Sequence, residues 1–353
     1  MLLTKKFNLK VNNTEAIILG HLTYASSKLF NVGNYERKEY KSIGLNKEPD
    51  WYDQKKRLKD NIWYKSLPSQ TAQDVLKSLD ESWKSYHTLK YKYEHGKKLS
   101  GEPNSPYYKK DGSHTNITYL SNGFKIIGNK IRLTIPKALK EHLLTKYDIT
   151  DKFFYITIKE HIDGIIKEVA FSYVNQNEYN VYISYETYVK PIKKDNNRHI
   201  SIDLGINNLM SIYDNSGRSF IISGNSYLNT LYYYNKKIAH YKSILDLQYP
   251  DLKNVSKRIS KLYEKKKRVI SYILHKSTKM IVDYCISNDI TTVIIGDITN
   301  IRESNDKGSM FNQKLHSLPF HEFYQKLSYK LLLNGIALIY QKELYSSTCS
   351  PHS

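Results

Sequence analysis

Cysteine is nearly absent from the 353-residue sequence, which has only Cys285 and Cys349. A disulfide framework is therefore excluded, and a reducing compartment fits. Long apolar runs are also missing, since no stretch approaches the roughly 18 residues that a membrane helix needs. The lysine-interrupted segment 1–10 lacks the apolar core of a signal peptide. The sequence therefore predicts a cytoplasmic protein with no membrane partner.

Acidic residues are scarce relative to basic ones. There are 34 Asp and Glu against 54 Lys and Arg, so the formal net charge is +20. A charge of that size predicts a polyanionic partner, and nucleic acid is the first candidate. The alternative is compositional, because Lys, Asn, Ile and Tyr are all abundant and an AT-rich genome produces that bias without functional demand. The length predicts two or more domains, since one core seldom grows past about 250 to 300 residues.

The first 195 residues show a mixed α and β pattern. Apolar runs in 2–18 predict strands, and Pro68-Ser69 begins an amphipathic helix that continues to Tyr86. Residues 101–114, rich in Gly, Pro, Ser and Lys, predict an exposed loop. Alternating segments that predict strands follow at 124–127, 130–135, 153–158, 169–174 and 179–185. We expect an α+β domain over 1–195, with a β-barrel-like or sandwich part and helices inserted at about 20–115.

The pattern changes after the polar run 193–198. Three strands are predicted first, then long helices over about 225–288, and finally a strand, a helix and a last strand. The predicted strands cover 199–203, 209–213, 219–222, 291–295 and 336–341, and the last helix covers 319–333. This order is typical of an α/β RNase H-like fold. It predicts a second domain over 196–353 that carries a helical insertion.

Asp203 ends the first strand of this order, in Ile202-Asp203-Leu204-Gly205-Ile206. Cleavage of a phosphodiester by two divalent ions needs carboxylates from neighbouring strand ends to hold the ions, and Mg²⁺ prefers such oxygen ligands. Asp203 is the first candidate. The second acid stays open, because Asp297 ends a neighbouring strand and Glu343 follows the last one, while a turn cap and an ordinary surface glutamate explain them equally well.

Basic residues are concentrated in two helices, and both helices are candidates for phosphate contact. A run of such residues is otherwise simply a solvated face. The candidates are Lys257, Arg258, Lys261, Lys265, Lys266 and Arg268 in the later helix and Lys77 and Lys84 in the earlier one.

Three motifs together resemble the TnpB (OrfB) family of transposon-encoded proteins. They are Leu67-Pro68-Ser69-Gln70 with its helix, the segment from Ile202 to Leu209, which resembles the first RuvC motif, and the segment from Tyr345 to Ser350, which resembles the start of a zinc ribbon. The resemblance implies a bacterial, nucleoid-associated protein with a wedge-like β domain, recognition helices and a RuvC-like nuclease domain. It also implies a guide RNA from the element end, a double-stranded DNA target and Mg²⁺-dependent cleavage in transposition and DNA recombination.

The chain departs from the family pattern at three places. Gly296 stands where most members have Glu, as in a subgroup whose glutamate comes from the position resembling Glu343, so the resemblance ranks Glu343 above Asp297. Cys349 begins a ribbon that is not completed, so Zn²⁺ is expected only with a complete ribbon. The last RuvC aspartate is expected beyond Ser353, which predicts little cleavage by residues 1–353. A nuclease-dead RNA- or DNA-binding protein is the alternative.

Overall fold

The computed structural model describes residues 1–158, 161–205, 207–249, 256–297 and 317–342. The chain forms two compact units, Met1–Thr187 and Tyr188–Ser353. The division falls within ten residues of the boundary expected near residue 195. Each unit mixes helices and strands, so the chain is a mixed α and β protein with several sheets.

Unit 1 contains two antiparallel sheets. The four-stranded sheet has the order β1-β7-β6-β2, where β1 is Leu2–Lys10, β2 Ile117–Leu120, β6 Ile165–Asn175 and β7 Glu178–Glu186. The three-stranded sheet has the order β3-β4-β5, where β3 is Phe124–Ile127, β4 Lys130–Thr134 and β5 Phe153–Thr157. The predicted hairpin turn is confirmed, with Gly128 at φ +58°. Phe154 and Phe171 contact across the two sheets, with ring centroids 6.2 Å apart.

Unit 1 also contains five α-helices. They are α1 (Asn13–Lys38), α2 (Trp51–Arg57), α3 (Ile62–Lys65), α4 (Ser69–Glu94) and α5 (Lys137–Tyr147), and short 3-10 turns cover Leu58–Asp60 and Ser121–Gly123. The start of α4 agrees with the prediction from Pro68-Ser69. The prediction of strands over 2–18 is wrong from residue 13 onward, because Asn12 and Glu15 cap each other's backbone amides and start α1.

A buried polar network joins α1, α2 and α4 inside the apolar core of unit 1. The Arg37 guanidinium is 4% exposed and lies 2.5 Å from the Asp80 carboxylate and 3.2 Å from Glu48. Its Nε donates to Gln54, whose own amide donates to the Gly33 carbonyl. A buried guanidinium is tolerated only when its donors are paired, and here the partners come from three segments. The network therefore fixes how these helices pack.

The prediction of an exposed loop over 101–114 is confirmed, since most of these residues are exposed and none is buried. The loop follows the polar side of α1. Hydrogen bonds tie successive turns of the helix to it: Asn34 and Asn31 donate to the Pro106 and Lys109 carbonyls, and Ser27 bonds Ser113. The segment has no regular secondary structure from residue 102 to 110, yet helix side chains satisfy part of its backbone.

Unit 2 is built on one five-stranded sheet with the order β10-β9-β8-β11-β12. The strands are β8 (His199–Leu204), β9 (Asn208–Asp214), β10 (Arg218–Ser223), β11 (Thr292–Asp297) and β12 (Ala337–Lys342). The first three are antiparallel neighbours, and β11 runs parallel to both β8 and β12. All five strands were predicted to within two residues at each end.

Three helices cover one face of this sheet. They are α6 (Asn225–Gln248), α7 (Lys257–Ser287) and α8 (Phe320–Leu333). Buried Ile200, Ile202, Val293 and Ile295 pack against the apolar side of the helices. The long helices predicted over about 225–288 are α6 and α7, and α7 is one helix of 31 residues. Among the described residues, no helix is long and apolar enough to cross a membrane.

Candidate functional site

The face of the five-stranded sheet opposite the helices is the open face, defined here by Ser201, Asp203, Ser211, Tyr213, Ile221 and Ile339. Register assigns these residues to one side: Asp203 pairs with Ser211, Ser201 with Tyr213, and Ile221 with Ser211. Side chains alternate along a strand, so the buried Ile202 and Leu204 lie on the helix-covered face. Tyr213 is 53% exposed and Ile339 48% exposed. Side chains on the open face are therefore accessible to a ligand.

Asp203 is an exposed carboxylate on the central strand of the sheet. It makes no hydrogen bond or ion pair with any residue that the structure describes. Ile202 and Leu204, both buried, anchor the strand on either side of it. At Gly205 an added Cβ would lie 2.7 Å from the Asn208 carbonyl oxygen, so the tight β8–β9 turn requires glycine there. The local sequence thus holds the Asp203 side chain outward on a firm strand.

Asp297 lies on the opposite face from Asp203. Ile295 pairs with Ile202 in the parallel ladder, so Asp297, two residues after Ile295, shares the helix-covered face. The surroundings of Asp297 agree with this placement. Burial and the nearby Asp297 charge together raise the pKa of Tyr340 above its ordinary value. The two predicted acids are therefore not brought together by the sheet.

Gly296 is the residue of β11 next to Asp203 on the open face, and Gln341 of β12 pairs with Gly296. Glu343 follows Gln341 by two residues but lies outside the described residues, as does Cys349. Within the described ranges, no three His, Cys, Asp or Glu side chains are grouped as metal ligands. Cys285 is buried, and burial raises the pKa of its thiol to about 12, which keeps it protonated and unsuited to zinc.

Asp214 is a buried carboxylate in unit 2 that is not among the predicted site residues. Burial opposes its ionisation, but the Tyr284 hydroxyl at 2.7 Å, the Ser216 backbone amide at 2.8 Å and the nearby Arg198 hold its pKa below the ordinary value. All these partners are structural, joining the β9 end to α7. Asp214 therefore stabilises the sheet, and its strand-end position alone did not distinguish it from a catalytic acid.

A line of basic residues runs along the exposed side of α7. This α7 stripe consists of Lys257, Lys261, Lys265, Arg268 and Lys276, which follow one another at three-, four- and eight-residue steps and are all exposed. At 1.5 Å per residue it extends about 28 Å along the helix. Four of its five members are predicted phosphate contacts, and Lys276 is an addition that the helical spacing supplies.

Three of the other predicted basic residues already make contacts with other side chains of the protein. Arg258 stacks over the Tyr241 ring at 3.8 Å and hydrogen-bonds its hydroxyl. Lys266 is half-buried and donates to Asn235 of α6 at 2.7 Å, and burial lowers its pKa. In unit 1, Lys84 lies 2.8 Å from the buried Asp80 carboxylate, whereas Lys77 is exposed. Lys266 and Lys84 thus have structural partners in addition to any ligand.

A second basic cluster, absent from the sequence predictions, lies between α7 and α8. Lys330 donates to the His275 carbonyl and to the Thr278 hydroxyl, both at 2.7 Å, and Lys326 lies 3.0 Å from the His275 ring. Burial and the neighbouring Lys326 charge lower the pKa of Lys330 to about 8. The cluster is partly buried and holds the two helices together, so it differs from the exposed α7 stripe.

Comparison with known proteins gives one family match. Residues 182–302 match the family model OrfB_IS605, described as a probable transposase. That segment contains Asp203, Asp297 and the whole α7 stripe. No curated protein matches the chain.

Two solved structures are similar to the chain at low identity. The first is titled a cryo-EM structure of the Cas12f1-sgRNA-target DNA complex; its TM-score is 0.48 at 17% identity, over 94% of this chain and 74% of that one. The second is titled a cryo-EM structure of a CRISPR-Cas12f ternary complex; its TM-score is 0.32 at 15% identity, over 91% of this chain and 70% of that one.

Proposed function

We propose that the chain is an RNA-guided DNA endonuclease of the TnpB (OrfB) type, a proposal supported by the match of residues 182–302 to a family described as a probable transposase. In this proposal unit 2 is the RuvC-like nuclease domain, and unit 1 combines a wedge-type β domain with recognition helices. The guide is RNA from the element end, and the target is double-stranded DNA.

The observation that carries the proposal is the setting of Asp203. It is an exposed carboxylate, without a partner among the described residues, on the central strand of a five-stranded sheet whose open face is accessible. The buried Asp214 contrasts with it, because Asp214 is paired with Tyr284 and serves the fold. The free carboxylate on a strongly basic protein is instead available to a cation.

Magnesium is the cofactor that this donor fits, because Mg²⁺ takes oxygen ligands and needs only one or two protein carboxylates beside the substrate phosphate. Asp203 and Glu343 are the residues that would hold it. When bound, a two-ion site activates a water and stabilises the charge on the leaving oxygen. The chain itself holds the Asp203 carboxylate outward on an anchored strand. The neighbouring residue on the open face is Gly296, which has no side chain.

Glu343 ranks above Asp297 as the second acid. Register supports this ranking, since Asp297 shares the face of Ile295 whereas Gln341, two residues before Glu343, pairs with Gly296 on the face of Asp203. A Zn²⁺ site at Cys349 stays a prediction that depends on a complete ribbon.

The α7 stripe is the proposed phosphate-binding surface for RNA or for the DNA target. Its cations are spaced by about one helical turn, and such spacing lets successive charges follow a nucleic-acid backbone. Lys77 on α4 and the exposed atoms of Lys84 are the candidates in unit 1. Lys266 contributes less, because its ammonium is already bonded to Asn235.

The proposal is tested by a cleavage assay with element-end RNA, labelled duplex DNA and Mg²⁺. In a chain extended to include the last RuvC aspartate expected beyond Ser353, we expect Asp203→Ala to abolish guide-dependent cleavage while leaving RNA binding intact. In the same extended chain, Glu343→Ala should reduce cleavage more than Asp297→Ala. Asp246→Ala is the matched control, because Asp246 is also an exposed acid of unit 2 but lies on α6. Equal cleavage by the wild type and Asp203→Ala would refute the site.

The same assay separates the enzyme from a nuclease-dead binding protein. Such a protein would bind the RNA with strong salt dependence and leave the DNA intact at every Mg²⁺ concentration. A chain that neither binds RNA nor cuts DNA would contradict both functions.

A further inference from the structure

Unit 1 contains a cavity of about 690 Å³ that the nuclease proposal does not use. The N-terminal half of α1 forms one wall through Asn13, Gly20, His21 and Tyr24, and the β6–β7 hairpin forms the other. Its volume lies within the roughly 300 to 1,000 Å³ of small-ligand pockets. The cavity is therefore large enough for a ring-sized ligand.

Aromatic rings dominate the lining. They are His21, Tyr24, His114, Tyr147, Tyr173 and Tyr179. His114 stacks on Tyr173 with ring centroids 4.1 Å apart and planes 12° apart, while His21 and Tyr147 meet edge to face at 5.5 Å. Both kinds of surface, a ring face and a ring edge, are suited to a flat aromatic ligand.

Polar groups of the cavity are left free to recognise such a ligand. Among the described residues, the side-chain amides of Asn13 and Gln176 make no hydrogen bond. Burial lowers the pKa of both His21 and His114, so each ring is neutral at pH 7. One nitrogen of each ring already has a partner, because His21 Nε2 lies 3.3 Å from the Tyr147 hydroxyl and His114 Nδ1 lies 2.8 Å from the Thr23 hydroxyl. Lys146, whose charge acts on His21, supplies a cation at the rim next to Tyr147.

We infer that this cavity binds one unpaired nucleobase, extruded from a single-stranded stretch of nucleic acid. A purine or pyrimidine has two flat faces for the rings and an edge of donors and acceptors for the amides and histidines, and its phosphate carries the charge that Lys146 attracts. The inference rests on the proposed nucleic-acid function, and it adds a base-binding site remote in sequence from Asp203.

Gly20 allows a test that does not depend on removing a core side chain. It lies inside α1, where, among the described residues and apart from the helix's own backbone and chain neighbours, the only atom within 4 Å of an added Cβ is the Tyr179 hydroxyl, at 3.9 Å. Gly20→Leu therefore places a side chain in the cavity, and leucine favours a helix more than glycine does. We expect the midpoint of thermal unfolding to stay equal or rise, so loss of binding could not be attributed to unfolding.

The probe is a short single-stranded oligonucleotide with one 2-aminopurine, prepared as DNA and as RNA so that the two sources are distinguished. With the full chain we expect binding to change the 2-aminopurine emission. Gly20→Leu should abolish that change, and Tyr147→Ala should weaken binding roughly 5- to 150-fold, the range for one stacking ring. Tyr155→Ala is the control, because Tyr155 is an exposed tyrosine of the same unit outside the cavity.

Emission changes and affinities in Gly20→Leu and Tyr147→Ala that equal those of the wild type would overturn the inference. If the wild type binds structured RNA with strong salt dependence but leaves the 2-aminopurine emission unchanged, the base site fails while the proposed function stands. If the wild type binds neither the probe nor structured RNA, the proposed function fails as well.

Discussion

The α7 stripe yields a quantitative prediction about the salt dependence of RNA or DNA binding. Changing Lys257, Lys261, Lys265 and Arg268 to Gln removes four exposed charges from one side of α7. Glutamine has a helix propensity close to that of lysine and arginine, so the helix should persist. Each phosphate contact contributes about 0.9 to the slope of log affinity against log salt for duplex DNA and about 0.7 for a single strand.

The four substitutions should therefore reduce the slope by roughly 3 to 4. Between 50 and 200 mM salt the logarithm of the concentration changes by about 0.6, so the affinity lost over that interval should shrink by about a hundredfold compared with the wild type. Filter binding or fluorescence anisotropy across a salt series measures both quantities.

A dispersed control variant has Lys56, Lys59, Lys125 and Lys130 changed to Gln, which removes the same charge from exposed positions of unit 1. It should retain most of the wild-type slope. If the two quadruple variants lose the same slope, binding follows net charge alone and the stripe is not a binding surface.

Two further predictions concern stability. Arg37→Met should lower the free energy of unfolding by about 3 to 5 kcal/mol, because it leaves the buried Asp80 carboxylate without its buried partner. Lys65→Met, at an exposed pair with Asp60, should lower it much less. Equal losses in urea denaturation would refute the role of the network. The pKa values of Asp80 and Asp214 are both held below the ordinary value of an aspartate. The stability that the two ionised carboxylates contribute is therefore complete above about pH 4, and it is lost as the pH falls through their lower folded-state pKa values. Asp214→Asn should therefore show a shallower acid loss of stability than the wild type, and an unchanged pH profile would contradict this.

The sheet of unit 2 was predictable because its signals are local. Its strands are short alternating or β-branched runs, bounded by turn residues such as Asp214 to Gly217, and α8 ends before Asn334-Gly335. Gly335 has φ +69°, and an added Cβ there would lie 2.3 Å from the Pro191 carbonyl oxygen. Both the backbone conformation and the packing therefore require glycine at this position. Only the first of these reasons can be read from the sequence.

Contacts with distant partners were not predicted. The segment from Pro106 to Ser113 is the exposed loop that the sequence predicts, but its hydrogen bonds go to α1 side chains some 70 to 90 positions earlier. The α1 residues that bond this loop form a polar stripe at helical spacing. The stripe indicates a contact surface only if the chain from residue 13 onward is a helix. The local signal for that helix, Asn12 followed by Glu15, was present in the sequence.

The sequence also could not predict whether Asp203 and Asp297 lie on the same face of the sheet. Both follow apolar strand residues, so each qualified as a strand-end acid. Whether they share a face depends on which residue of β11 pairs with Ile202, and a shift of one residue would have reversed the answer. The buried Asp214 shows the same limit, since its partner Tyr284 lies 70 positions away.

The most direct test of the central claim is to map a bound divalent ion on the protein itself. Fe²⁺ substituted for Mg²⁺, with ascorbate and peroxide, generates hydroxyl radicals that cut the polypeptide close to the ion. We predict cuts in β8 near Asp203 and in the strand β11 beside it, suppressed by excess Mg²⁺ and absent in Asp203→Ala but retained in Asp246→Ala. The same cuts in Asp203→Ala, or none near β8 in the wild type, would contradict the account.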